Sequence, residues 1–148
     1  MATKRDVTMA TDTYAVRLTI PAKAEYITLS RLALAGLTSL GAVPGETIAD
    51  LKLALTEACS NSVRHAYDGD GDRGGVVDIT YELHPDHVVI EVCDEGRGFV
   101  ADSPSDQRDA LSESGLGLAI IRALSDELEL GLRSDRQGSR LRMVKRFG

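Results

Sequence analysis

Residues 50–67 read DLKLALTEACSNSVRHAY. At 3.6 residues per turn, Ile48, Leu51, Leu55, Ala58, Cys59, Ser62, Val63 and Ala66 fall into one mainly apolar stripe, which predicts a helix anchored on a core. Glu57 and Asn61, four residues apart, stack along the flank of that stripe. A carboxylate and a carboxamide so placed can face a ligand or a metal while the helix beneath them stays buried. Pro44 is expected to begin this helix, with Glu46 in the first turn, where the helix dipole favours a carboxylate.

Upstream, residues 13–20 alternate, with Tyr14, Val16, Leu18 and Ile20 opposite Thr13, Ala15, Arg17 and Thr19, the pattern of a strand covered on one side. Pro21 is expected to open a second helix reaching about Leu40, with the stripe Leu29, Leu32, Ala33, Gly36, Leu37 and Leu40, closed by Gly41. Arg31 falls off that stripe and should face solvent or a partner. Downstream, the Asp-Gly alternation that follows Tyr67 lacks the remaining ligands and closing glutamate of a calcium loop and reads as a flexible turn. Val76 to Leu83 and His87 to Asp94, joined by His84-Pro85-Asp86, predict an antiparallel hairpin. Leu128, Leu130 and Leu132 alternate with Glu127, Glu129 and Gly131, and Ser139 to Lys145 follows across a turn containing Gly138. Strands with one polar face each imply an α+β fold: a two-layer sandwich with an antiparallel or mixed sheet of about five strands and helices on one face.

The chain has 148 residues, which fits one domain over residues 13–148 behind a flexible segment at 1–12. Twenty-three acidic against 17 basic residues give a formal charge of -6, which argues against direct nucleic-acid binding. No stretch approaches the roughly 20 apolar residues needed to span a bilayer. Cys59 and Cys93 have no metal-ligand spacing and no secretory leader is read before them, so a reduced, cytoplasmic protein is expected. Cys59 reads as a small core residue and Cys93 as locally packed, while His84 and His87, flanking a turn, are expected to be exposed.

A second chemical signal lies between the two hairpins. Asp94-Glu95-Gly96-Arg97-Gly98-Phe99 ends a strand in a charged, glycine-punctuated turn where backbone can approach a ligand. Further on, Ser114-Gly115-Leu116-Gly117-Leu118 opens a helix with the expected stripe Leu116, Ala119, Ile120, Ala123 and Leu124. Free amides at such a start suit phosphate oxygens, and the segment at about 99–114 is long enough to form a lid. The spacing is that of neither a P-loop nor the dinucleotide fingerprint.

In this order, Glu57 and Asn61 on a helix, Asp94-x-Gly96-x-Gly98 after a strand and Gly115-x-Gly117 at a helix start resemble the ATP-binding module shared by histidine kinases, DNA gyrase, the mismatch-repair ATPases and the large heat-shock chaperone. The small single-domain form with His65-Ala66-Tyr67 after the asparagine is similar to the bacterial anti-sigma factors of sporulation and general stress that are also serine protein kinases. The resemblance implies ATP, ADP and Mg²⁺ as ligands, with Asn61 on the metal, Glu57 as general base and Asp94 on the adenine amino group. It implies that Gly96 and Gly98 let the turn pass the base, and that Gly115 and Gly117, with Leu116 and Leu118, meet the phosphates. Arg31 matches a first-helix arginine that contacts the sigma factor and its antagonist. The implied partners are a sigma factor, an anti-anti-sigma protein carrying the target serine, and a second copy of the chain. The sporulation branch has a lid arginine where this sequence has Glu113, which places the chain nearer the general-stress branch. Only Arg108 in the lid and Arg97 in the preceding turn are then left to neutralise the terminal phosphate, and a nucleotide-gated binding switch without significant transfer stands as the alternative to a kinase.

Overall fold

Which face of each strand is apolar decides how the sheet is covered. The computed structural model describes residues 13–67, 75–96 and 113–148, without the side chains of 65–67 and 113–114. Strand β1 (Tyr14–Pro21) leads through a 3-10 turn (Ala24–Tyr26) to helices α1 (Ile27–Thr38) and α2 (Gly45–Tyr67). The hairpin β2 (Val76–Leu83) and β3 (His87–Asp94) follows, then α3 (Glu113–Leu124) and the hairpin β4 (Glu127–Leu132) and β5 (Ser139–Arg146). The sheet order is β1-β2-β3-β5-β4, with each neighbouring pair antiparallel.

Register carries the alternation across the whole sheet. Leu18, Ile79, Val92, Leu141 and Leu130 stand opposite one another in one row, and Val16, Tyr81, Ile90, Met143 and Leu128 in the next. A row of apolar side chains on one face is an unfinished core until helices cover it. The covering residues of α2 are Leu51, Ala54, Leu55, Ala58, Cys59 and Val63, all buried. Ile48, expected on that stripe, is only half-buried. Among the described residues no helix is long and apolar enough to cross a membrane. The expected flexible segment at 1–12 and most of the lid lie outside the described residues.

Four expectations need correction. Pro21 does not open a helix; it ends β1 opposite Val76, on a sheet edge where a missing N–H costs no ladder bond. The buried face of α1 is Ile27, Ser30, Leu34, Leu37 and Thr38, whereas Leu29, Leu32 and Leu40 of the expected stripe are exposed. Ser30 and Thr38 can be buried because their hydroxyls donate to Ile27 O at 2.6 Å and Leu34 O at 2.9 Å, so neither is left unsatisfied. The Tyr81 hydroxyl, which donates to Ser30 O at 2.9 Å, joins the same face to the sheet. On α3 the stripe is likewise turned by one residue: Gly117 and Ile121 are buried while Leu116, Ala119 and Ala123 are exposed. Finally, His84 and His87 are half-buried and stacked at 4.3 Å, bonded to Glu82 and Asp86 at 2.8 and 2.6 Å.

The sheet face away from the helices is polar, yet part of it is dry. Arg133 Nη2 donates to Asp78 Oδ2 at 2.9 Å between side chains only 3% and 8% exposed. Arg136 Nη2 adds a second bond to that oxygen at 2.8 Å, and Thr19 Oγ1 donates to Asp78 Oδ1 at 2.6 Å. Burial by itself would push the Asp78 carboxyl up, but the bonds from Thr19, Arg133 and Arg136 and the Arg133 charge outweigh it and hold the group below its ordinary value. A carboxylate lowered by folding stabilises above its unfolded pKa, about 3.9, and that contribution is lost as pH falls through the lower folded value. Asp78→Asn should therefore cost about 2–3 kcal/mol in urea denaturation near neutrality. The gap from wild type should narrow as the pH of the titration is lowered below the ordinary carboxylate range, and a gap constant with pH would rule out this origin.

Candidate active site

One line along α2 gathers the chemistry. Asn61 is 1% exposed and Glu57, one turn earlier, is half-buried. Against them lies Gly117 of α3: a Cβ added there would stand 2.9 Å from Glu57 Oε2 and 3.6 Å from both Oδ1 and Nδ2 of Asn61. With no side chain at 117, α3 closes onto the pair, and three of the expected residues meet in space. Gly115 falls in the first turn of α3, whose amides have no intrahelical acceptor.

The polar state of Asn61 is specific. Arg64 Nη2 donates to its Oδ1 at 2.6 Å, and since guanidinium has donors only, the atom touched is the amide oxygen. The Nδ2 group is buried with no acceptor among the described residues. A buried donor without a partner is costly, which marks a place where a ligand oxygen belongs.

Asp94 ends β3 on the helix-covered face and is 1% exposed. Its Oδ1 accepts bonds from Gly96 N at 2.9 Å, Ser139 Oγ at 2.6 Å and, longer, Ser139 N at 3.4 Å. Among the described residues nothing donates to Oδ2, so one oxygen is anchored and the other is left for an incoming donor. The β4–β5 turn holds the backbone beside it: Arg133 Nη1 approaches Asp94 O at 3.5 Å, and Gly138 packs so closely on that carbonyl that a Cβ would lie 1.9 Å from it.

Of the other expected residues, Gly96 is half-buried in the turn after β3, Leu118 packs against the core, and Leu116 is 59% exposed. Arg31 is half-buried, its guanidinium donating to Thr56 Oγ1 at 3.2 Å on α2 and Thr28 Oγ1 at 3.3 Å. Gly98, Arg97 and Arg108 lie outside the described residues, as do the side chains of His65 and Glu113. Burial pushes the Cys59 thiol up to about 12, and burial with Glu91 nearby pushes Cys93 up to about 11, so neither is a ready nucleophile. Sequence reading missed Arg64, Arg133, Gly138 and Ser139 as parts of the site. Only Arg64 carried a signal, its spacing of three from Asn61 on one helix.

A family model described as the histidine kinase-like ATPase domain matches residues 20–145. Among curated relatives, a serine-protein kinase RsbW of Bacillus subtilis is 37% identical over 124 residues, covering 78% of this chain and 76% of the relative. A Listeria innocua protein of the same name is 34% identical over 131 residues, covering 82% of each. The crystal structure of the RsbU and RsbW domains of Rv1364c from Mycobacterium tuberculosis superposes with a TM-score of 0.62 at 22% identity, over 90% of this chain and 32% of that one, a likeness of fold. The chain belongs to the RsbW-type family of anti-sigma factor serine kinases, within the histidine kinase-like ATPases.

Proposed function

We propose that this protein is an ATP-dependent serine protein kinase that holds a sigma factor inactive and phosphorylates a serine on an anti-anti-sigma protein. The observation that carries the reading is the meeting of Glu57, Asn61 and Gly117, with Nδ2 of Asn61 buried and unpartnered among the described residues. Asp94 would receive the adenine amino group on its free oxygen, with Gly96 and Gly98 in the turn beside the base. Asn61 Oδ1 is a hard, uncharged oxygen suited to Mg²⁺, which when bound supplies positive charge at the nucleotide phosphates. Gly115 and Gly117, with Leu116 and Leu118, would border those phosphates at the start of α3 under a lid at about 99–114. Glu57 would take the proton from the partner serine as the serine oxygen bonds to the terminal phosphorus and the bond from that phosphorus to the bridging oxygen breaks, releasing ADP.

Partner binding is supported by the outer side of α1, where Leu29 and Leu32 are exposed three residues apart beside the tethered Arg31. A homodimer is part of the same reading. The test is transfer of label from γ-labelled ATP to a serine of the anti-anti-sigma protein in the presence of Mg²⁺. Label on that serine supports the kinase; ATP binding and a stable complex without label would leave a nucleotide-gated switch, with Glu113 the first residue to vary. Asn61→Ala should weaken Mg²⁺-dependent ATP binding at least about tenfold by calorimetry. Unchanged affinity would remove Asn61 from the metal.

A further inference from the structure

Asn61 Oδ1, the oxygen assigned to Mg²⁺, is already in contact with a cation. Arg64 Nη2 donates to it at 2.6 Å from one turn further along α2, so the contact is held by a single rigid helix. Asn61 is 1% exposed, and Gly117 with Glu57 Oε2 closes another side of the amide. Room around that oxygen is therefore scarce. A magnesium ion bonds such an oxygen at about 2.1 Å, so with Nη2 on the same atom the two cations would stand less than about 5 Å apart if both stayed. Two positive groups at that separation in a partly dry site repel strongly.

We infer that Arg64 is a resident cation on the metal-binding oxygen of Asn61: guanidinium and divalent cation exclude each other there, and Arg64 sets how much Mg²⁺ nucleotide binding requires. This rests on the reading of the site as an ATP site. Without a divalent cation, Arg64 leaves one positive charge beside the phosphate region, and with it, the side chain must move off Oδ1. The residue thus works in opposite directions under the two conditions, which a purely structural role would not do.

The experiment is calorimetric titration of ATP into the full chain, wild type and Arg64→Gln, in EDTA and across a Mg²⁺ series. The variant should reach half-maximal ATP binding at about tenfold lower Mg²⁺ and bind ATP about tenfold more weakly in EDTA. Arg64→Met, which keeps the apolar stem, should behave in the same way and serves if the glutamine variant does not fold. Wild type that binds ATP with a Mg²⁺ dependence shared by both variants would overturn the role of Arg64 alone. Wild type that binds no ATP under either condition would overturn this inference together with the ATP reading.

Discussion

Glu57→Gln should bind ATP within about twofold of wild type and transfer phosphate to a partner serine about 10²- to 10⁴-fold more slowly. The substitution keeps the size of the side chain and its place one turn before Asn61 on α2, so the contact with Gly117 survives. What it removes is a carboxylate able to accept the proton of the serine hydroxyl. A carboxylate is a weak base toward an alcohol, and the rest of the barrier must fall through positioning and phosphate charge stabilisation, neither of which the variant loses. Incorporation of label by Glu57→Gln at the wild-type rate would transfer the base to another group. Loss of ATP binding together with transfer would make Glu57 a positioning residue for the bound nucleotide.

How far this fold could be read from sequence depended on whether polarity and burial agreed. They agree in the inner strands, where the alternation in Val77, Ile79, Tyr81 and Leu83 is the buried face of β2, and less at the edges, where Tyr14, Val16 and Leu132 are exposed. They agree over much of α2, where the charged residues keep off the core, but not at Asn61, which is polar and buried, or at Leu53, which is apolar and exposed. They part in α1, which is apolar on several sides and buries Ser30 and Thr38 while leaving Leu29 and Leu32, and Leu40 just beyond its end, in solvent. Serine and threonine satisfied by their own helix carry no sequence mark that separates them from a solvated pair. A face left apolar for a partner also looks, by periodicity, the same as a face turned to the core.

The candidate site divides in a similar way. Glu57 and Asn61 were legible because one helix presents both, and a spacing of four needs no knowledge of the fold. The anchoring of Asp94 was not, since its partner Ser139 lies 45 residues away and meets it only through the register of β3 and β5. The Asp78–Arg133 pair, 55 residues apart, is hidden for the same reason: many carboxylates and guanidinium groups could pair, and only the hairpin decides which do. Arg64 was legible in spacing but reads by default as a solvated cation, until the burial of Asn61 makes its contact consequential.

The glycine of the last turn is expected to matter as much as any charged residue. Gly138 has φ +149°, in a region that L side chains rarely adopt, and a Cβ there would lie 1.9 Å from Asp94 O and 2.8 Å from Arg133 Cδ. The nearer atom is backbone, so Gly138→Ala must displace the end of β3 or open the β4–β5 hairpin. Either movement breaks the hold of Ser139 and Arg133 on Asp94, and the cost should be about 3 kcal/mol or more in urea denaturation. Gly41→Ala is the control: its Cβ would meet Leu83 Cδ2 at 3.1 Å, the far end of a side chain that can shift, and about 1 kcal/mol or less is expected. Where Gly138→Ala still folds, the proposed adenine site predicts that ATP affinity falls with it, because Asp94, to which that proposal gives the adenine amino group, is carried on the displaced backbone. Stability and ATP affinity equal to wild type would show that the turn can relax without moving Asp94, and the anchoring role would pass from Gly138 to the strand pairing of β3 with β5.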